Sequence, residues 1–166
     1  FIGRFLDEET GIPEGDGAIV ARLAQGSADR ARKMVEANIL DIRSDIVSRL
    51  VGGQRHSAVE ILDLAEELSR PDWRQILSIY FHVLRTWYRD VLATMTHTGQ
   101  TLLIHRDMMA ELAHCASFLS VAQTTGFIRQ VSEAETAIFE RMANARLVLE
   151  ALFLKITDHG IHTEST

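Results

Sequence analysis

The residue types that could support chemistry lie close together in one stretch, residues 111–115. Glu111 and His114 are three positions apart, so on a helix they point the same way, as in half of a di-iron or di-manganese carboxylate site. Such a site also needs a second Glu-x-x-His pair and two further glutamates, and the sequence contains no second pair. The alternative is a surface pair without a metal, beside a small buried Cys115. We expect this alternative, and therefore no metal ligand.

Other catalytic and cofactor-binding patterns are absent from the sequence. It has no glycine-rich phosphate loop ending in Gly-Lys-Ser/Thr, no nucleophile elbow and no Cys/His dyad at a recognisable spacing. We therefore predict no catalytic residue, no cofactor and no intrinsic enzyme activity.

Four aromatic residues could instead bind a nucleic acid, because bases stack on such rings. They follow helical spacing, however, and this favours packing in a core or interface. The four are Trp73, Tyr80, Trp87 and Tyr88.

Three arginines, Arg85, Arg89 and Arg106, could meet phosphates, but nearby acids make ion pairs the default expectation. The formal net charge of −6 also argues against a protein that binds nucleic acid by itself.

Composition indicates a folded, largely helical protein. Apolar residues make up 46% of the 166 residues and charged residues 24%, and there are only two prolines. A single cysteine excludes an internal disulfide and favours a reducing cytoplasm. The sequence contains no run of 18 apolar residues, which a membrane-spanning helix would require. Because the chain opens at Phe1 within a helical pattern, we expect a fragment of a longer protein.

Turn residues divide the chain into two helical units and a tail. Residues 1–37 are predicted to form three short helices, the first ending near Gly11 and the third beginning after Ser27. Residues 38–157 are predicted to form a five-helix bundle, and residues 158–166 a polar tail. The expected fold class is all-α.

The five longer helices are predicted from apolar periodicity and end signals. Ser57 and Glu60 form a capping box, Pro71 marks a first turn, and Thr125-Gly126 is expected to separate the last two helices. The predicted ranges are 39–50, 57–68, 71–99, 107–123 and 127–157.

Residues 144–155 carry the strongest single pattern. This segment is apolar over most of its circumference, yet Arg146, Glu150 and Lys155 exclude a lipid span. Such a helix must be covered on several sides, by sister helices or by another subunit. We expect five of its residues to divide between the bundle core and subunit contacts: Leu147, Leu149, Leu152, Phe153 and Ile156.

Four stretches in order resemble the subunits of AAA+ clamp loaders. Residues 26–32 (Gly-Ser-Ala-Asp-Arg-Ala-Arg) resemble the start of the last lid helix, and residues 87–92 (Trp-Tyr-Arg-Asp-Val-Leu) resemble the Arg-Asp-Leu-Leu stretch of the collar. Residues 103–107 (Leu-Ile-His-Arg-Asp) are similar to an aspartate-containing turn, and residues 144–152 to the Asn-x-Asn-x-x-Leu-x-Leu-Glu closing motif. Together they are most similar to the delta-prime type of subunit of bacterial DNA polymerase III.

The resemblance implies a role in assembly. It makes residues 1–37 the end of a lid domain and residues 38–157 a collar that helps hold a ring of subunits. The implied partners are the gamma/tau and delta subunits, and the whole complex reaches the sliding clamp and primed DNA in the bacterial cytoplasm, at the replisome. In isolation the collar faces could form a homodimer. The residues carried over are Gly26, Ser27, Arg30, Trp87, Arg89, Asp90, Asp107, Asn144, Arg146, Leu149, Glu150, Leu152 and Phe153.

One departure concerns the nucleotide. Asp29 stands where ATP-hydrolysing relatives have the sensor-2 arginine, and a carboxylate would repel a γ-phosphate. Arg30, one residue on, is rotated by about 100° around the helix and faces elsewhere. This favours the delta-prime type over the gamma/tau type.

A second expectation concerns Arg89 and Asp90. We expect both at the rim of the bundle, paired with polar groups near Asn144, Arg146 or Glu150, so that they orient two long helices.

Two other function classes stay open at this point. One is an adaptor or oligomerisation domain of another AAA+ machine, since a lid followed by a helical bundle is a shared architecture. The other is an all-α metal-binding bundle that uses Glu111 and His114.

Overall fold

The computed structural model describes residues 15–51, 56–99 and 102–158, and all regular structure in these ranges is helical. The all-α prediction is confirmed. The first predicted helix, at residues 1–10, and the tail beyond residue 158 lie outside the described residues. The described ranges contain eight α-helices: α1 (Asp16–Leu23), α2 (Ala28–Glu36), α3 (Ile39–Ile46), α4 (Ala58–Leu68), α5 (Arg74–Thr96), α6 (Met109–Phe118), α7 (Val121–Phe139) and α8 (Ala145–Asp158).

Several helix starts form as the side chains predict. The hydroxyl of Ser27 accepts a hydrogen bond from the backbone N–H of Arg30 at 3.3 Å and caps α2. Ser57 and Glu60 form the expected reciprocal capping box of α4. Pro71 opens a short 3-10 turn, Pro71–Trp73, that leads into α5.

The predicted end of the bundle is wrong in its boundaries and helix count. The chain does not break at Thr125-Gly126, because α7 runs through both residues. A capping box of Ser120 and Gln123 begins α7, and α8 begins only at Ala145. The two helices predicted for residues 107–157 are therefore three, and among the described residues after 38 there are six α-helices instead of the five predicted.

Helix α3 is extended by one wide π-helical turn, Val47–Val51. This turn keeps Val47, Leu50 and Val51 buried, so the apolar stripe predicted for this segment faces the core. Helix α8 packs against the same turn.

Helix α5 lies at the centre of the bundle. It packs against α3, α6 and α7, while α8 packs between α4 and α7. Tyr80, Trp87 and Tyr88 are at most 3% exposed, and the Tyr88 ring lies 5.1 Å from that of Phe127. The core interpretation of these aromatics is confirmed, with Trp73 half-buried beside them.

Helices α1 and α2 pack onto the same apolar cluster as the later helices. Leu23 and Ala31 are fully buried in it. His82 on α5 hydrogen-bonds through Nε2 to the carbonyl of Leu23 at 2.7 Å. The domain boundary at residues 37/38 stays a prediction.

Candidate functional site

The predicted pair Glu111 and His114 lies on the exposed surface of α6. The His114 ring packs edge-on against Phe118, with 5.4 Å between centroids. Within the described ranges no three His, Cys, Asp or Glu side chains are grouped so that they could hold a metal ion. Cys115 is buried, and burial raises the pKa of its thiol to about 11, so it stays protonated at neutral pH. These surroundings favour the surface-pair interpretation.

Asp90 lies in the interior of the molecule, with no exposed surface. Its carboxylate accepts hydrogen bonds from the backbone N–H groups of Ile104 at 2.7 Å and His105 at 2.8 Å, and from Nη2 of Arg89 at 2.9 Å. The predicted rim position and α8 partners of Asp90 are therefore wrong. The physical reason is that the turn before α6 buries two N–H groups, which require an acceptor. Arg89 itself is half exposed.

His105 is buried beside Asp90. Its Nε2 lies 3.1 Å from the hydroxyl oxygen of Thr86, and its ring packs edge-on against Trp87 at 5.3 Å. Burial and the nearby positive charge of Arg43 lower the pKa of His105 to about 3. The imidazole is therefore neutral at physiological pH and cannot act there as a general acid.

An ion pair between the buried Arg43 and the partly exposed Asp107 joins α3 to the segment before α6. Arg43, only 5% exposed, donates from Nη1 to Oδ1 of Asp107 at 2.9 Å and from Nη2 to Oδ2 at 2.5 Å. Burial alone would raise the pKa of Asp107, but the hydrogen bonds and charge of Arg43 lower it below its usual value. Asp107 was identified from the sequence, whereas Arg43 was not, because 64 residues separate them.

These four residues, Arg43, Asp90, His105 and Asp107, are called the polar cluster. Their hydrogen bonds hold the turn at residues 102–107 against α5 and α3. In addition, Nε of Arg22 on α1 donates a hydrogen bond to the carbonyl of Ile104 at 3.1 Å. Both carboxylates are engaged in charge-assisted bonds and the histidine is neutral. The polar cluster therefore fixes the relative positions of α3, α5 and the turn before α6.

The closing motif begins with a cap. The side-chain oxygen of Asn144 accepts a hydrogen bond from the backbone N–H of Leu147 at 3.2 Å, at the start of α8. Arg146 bonds to Glu150 at 2.8 Å and to Glu66 on α4 at 3.0 Å. Because Arg146 and Glu66 are half exposed, this pair positions α8 beside α4 and contributes little stability.

The apolar residues of α8 divide into two sets. Leu149, Leu152, Phe153 and Ile156 are buried in the core, as expected. Leu147 is 63% exposed and Leu154 38% exposed, and the exposed Ala151 lies between them at helical spacing. Leu147, Ala151 and Leu154 are called the α8 stripe.

The motif at residues 26–32 forms the link between α1 and α2. Gly26 adopts φ +83°, a conformation that strains residues with a Cβ atom. Asp29 is exposed and pairs with Lys33 at 2.8 Å. Arg30 has no acidic partner among the described residues and faces a cleft beside α5.

Comparison with known proteins adds no identification. No protein-family model, curated protein or solved structure matches the chain significantly. In the described part of the chain, no helix is long and apolar enough to cross a membrane.

Proposed function

We propose that this chain is a non-catalytic assembly module of a bacterial clamp loader, of the delta-prime type. In this role it helps to hold the ring of subunits that opens the sliding clamp and places it on primed DNA. Its direct partners are the gamma/tau and delta subunits, and the clamp and DNA are reached only through the whole complex.

The observation that carries the proposal is the contact between two of the four family-like stretches. Asp90, in the stretch at residues 87–92, binds the backbone of the stretch at residues 103–107. This contact supports the proposal because it makes the two stretches one structural unit, as the resemblance implies. The other two stretches supply the caps Ser27 and Asn144.

A second observation supports a role in assembly. The α8 stripe exposes two large aliphatic side chains on a helix whose opposite face lies in the core. Exposed apolar side chains in contiguous patches commonly mark protein–protein contacts. A ring subunit has to offer such surface to its neighbours.

Mixing the chain with a gamma-type subunit from the same organism, followed by size-exclusion chromatography, tests the proposal. The two proteins are expected to co-elute in one peak that neither gives alone. The chain by itself is the control, because its own dimer would also elute early. Separate elution at concentrations well above the micromolar range would exclude the proposal, since a stable ring interface should persist there.

The alternative is an adaptor domain of another AAA+ machine, and the same two observations are compatible with it. A pull-down from the source organism distinguishes the two. Recovery of clamp-loader subunits supports the first proposal, and recovery of a different AAA+ ATPase supports the alternative.

A further inference from the structure

A cleft lies between α2 and α5, on a different surface from the α8 stripe. Its volume is about 1070 Å³, comparable with that of small-molecule and peptide sites. Arg30 and Lys33 line it from α2, and Arg85 and Arg89 from α5. We call it the α2–α5 cleft.

The four cationic side chains retain hydrogen-bond donors for a ligand. Arg30 has no acidic partner in the described ranges, while Arg85 bonds through Nη1 to Glu135 and Arg89 bonds to the buried Asp90. A guanidinium has five N–H donors, so these pairs leave others unused. Lys33 pairs with Asp29 only at the exposed surface, where the pair is weak.

Aliphatic side chains share the cleft with these cations. The partly exposed Ile76, Ile79 and Ile128 contribute apolar surface next to the charged groups. No Phe, Tyr or Trp ring is among the described lining residues, so this part of the cleft offers no such ring on which a nucleic-acid base could stack. Two acids, Glu36 and Asp72, also line the cleft and repel any negative group beside them, so a ligand with separated carboxylates can avoid them more easily than a continuous phosphate backbone can. The lining therefore fits carboxylates alternating with aliphatic groups better than a nucleic acid.

We infer that the α2–α5 cleft binds a short segment of a partner protein in which acidic side chains stand next to aliphatic ones. The acidic groups would bond to Arg30 and to the remaining donors of Arg85 and Arg89, while the aliphatic groups contact Ile76 and Ile79. This site is separate from the α8 stripe, because none of its lining residues lies on α8.

Fluorescence anisotropy with a panel of short fluorescein-labelled peptides tests the inference. The peptides contain Glu and Leu at varied spacings, and matched peptides carry Lys in place of Glu. The acidic peptides are expected to bind and the basic ones not to bind. The substitution Arg30→Glu should weaken binding by about tenfold or more, since it replaces attraction by repulsion.

The charge-matched control is Lys155→Glu, an exposed cation on α8, which should leave binding unchanged. Because Arg30 is exposed and has no acidic partner in the described part of the chain, Arg30→Glu should fold normally, and Arg30→Gln provides a milder second variant. Equal binding by the Arg30 and Lys155 variants, or no binding by any acidic peptide, would overturn the inference. Displacement of the peptide by labelled oligothymidylate would also overturn it, because the cleft would then prefer a phosphate backbone.

Discussion

At the residue scale, the buried carboxylate of Asp90 is the contact on which the turn before α6 most depends. The substitution Asp90→Ala leaves the N–H groups of Ile104 and His105 without an acceptor and removes the partner of Arg89. Unsatisfied buried donors cost about 1–3 kcal/mol each, so we expect the free energy of unfolding to fall by about 3 kcal/mol or more. Urea denaturation measures this change.

The matched control for Asp90 is Asp63→Asn, which alters an exposed aspartate on α4. It should change stability by no more than about 0.5 kcal/mol. If Asp90→Ala were as mild as this control, the polar cluster would not hold the turn in place.

Because His105 is buried in its neutral form, the free energy of unfolding is expected to depend on pH. Its pKa is lowered to about 3 in the folded protein, whereas an unfolded histidine has a pKa of about 6.5. Between these two pKa values the unfolded chain binds more protons than the folded protein. The contribution of neutral His105 to the free energy of unfolding is therefore fully present above about pH 6.5 and decreases as the pH falls. The slope from one histidine is at most about 1.4 kcal/mol per pH unit. Melting temperatures measured between neutral and mildly acidic pH should fall accordingly.

The substitution His105→Gln should flatten this pH dependence, and His114→Gln on the exposed face of α6 should not. Burial also lowers the pKa of His82, so part of the slope should remain in the His105 variant. Identical slopes in both variants would show that His105 does not control acid sensitivity.

The sequence alone could not place these buried polar residues. Asp90 and His105 lie within stretches noted for their family likeness, but nothing local shows that they meet across 15 positions. In the sequence, Arg43 cannot be distinguished from other charged residues on a helix surface, because its partner Asp107 is distant in the chain. Local patterns predict which face of a helix is apolar, whereas an ion pair between distant residues depends on tertiary packing.

At the element scale, two glycines have opposite roles, and both can be tested by substitution with alanine. Gly126 lies within α7, and a Cβ atom there would meet no neighbouring atom within 4 Å. Gly126→Ala should therefore stabilise the protein by about 0.5–1 kcal/mol, because alanine favours helix. Gly26→Ala is the contrasting variant and should destabilise by about 1 kcal/mol, because φ there is +83°. Thermal denaturation of both variants measures the difference, and stabilisation by both would contradict this account.

Helix boundaries were predictable where a cap accompanied the apolar pattern. Ser57 and Glu60 identified the start of α4, and Pro71 the approach to α5. The helix end predicted at Gly126 was wrong, because a glycine destabilises a helix by only about 1 kcal/mol, and tertiary packing of a long apolar face can offset this loss. The correct signal was present in Ser120-x-x-Gln123, a second capping box, and in Asn144 before α8.

At the scale of the whole molecule, composition and periodicity were sufficient to predict an all-helical bundle that contains a long helix near α5, but not that α5 lies at its centre. They also predicted that α8 has more apolar surface than the bundle covers. They could not specify which side chains stay exposed, since Leu147 and Leu149 are chemically identical and only the packing of α4 and α7 distinguishes them.

The α8 stripe provides a test of assembly that is separate from folding. Replacing both Leu147 and Leu154 by serine removes exposed apolar surface, and because neither side chain is in the buried core, the free energy of unfolding should fall by no more than about 2 kcal/mol. If the stripe contacts a neighbouring subunit, burial of the exposed parts contributes about 1–2 kcal/mol for Leu147 and about 1 kcal/mol or less for Leu154. The double variant should therefore weaken co-elution with a gamma-type subunit by about tenfold or more. Leu102→Ser is the control, because Leu102 is 77% exposed but lies in the turn before α6. Unchanged co-elution of the double variant would place the subunit contact elsewhere, whereas equal losses in both variants would indicate a general loss of solubility.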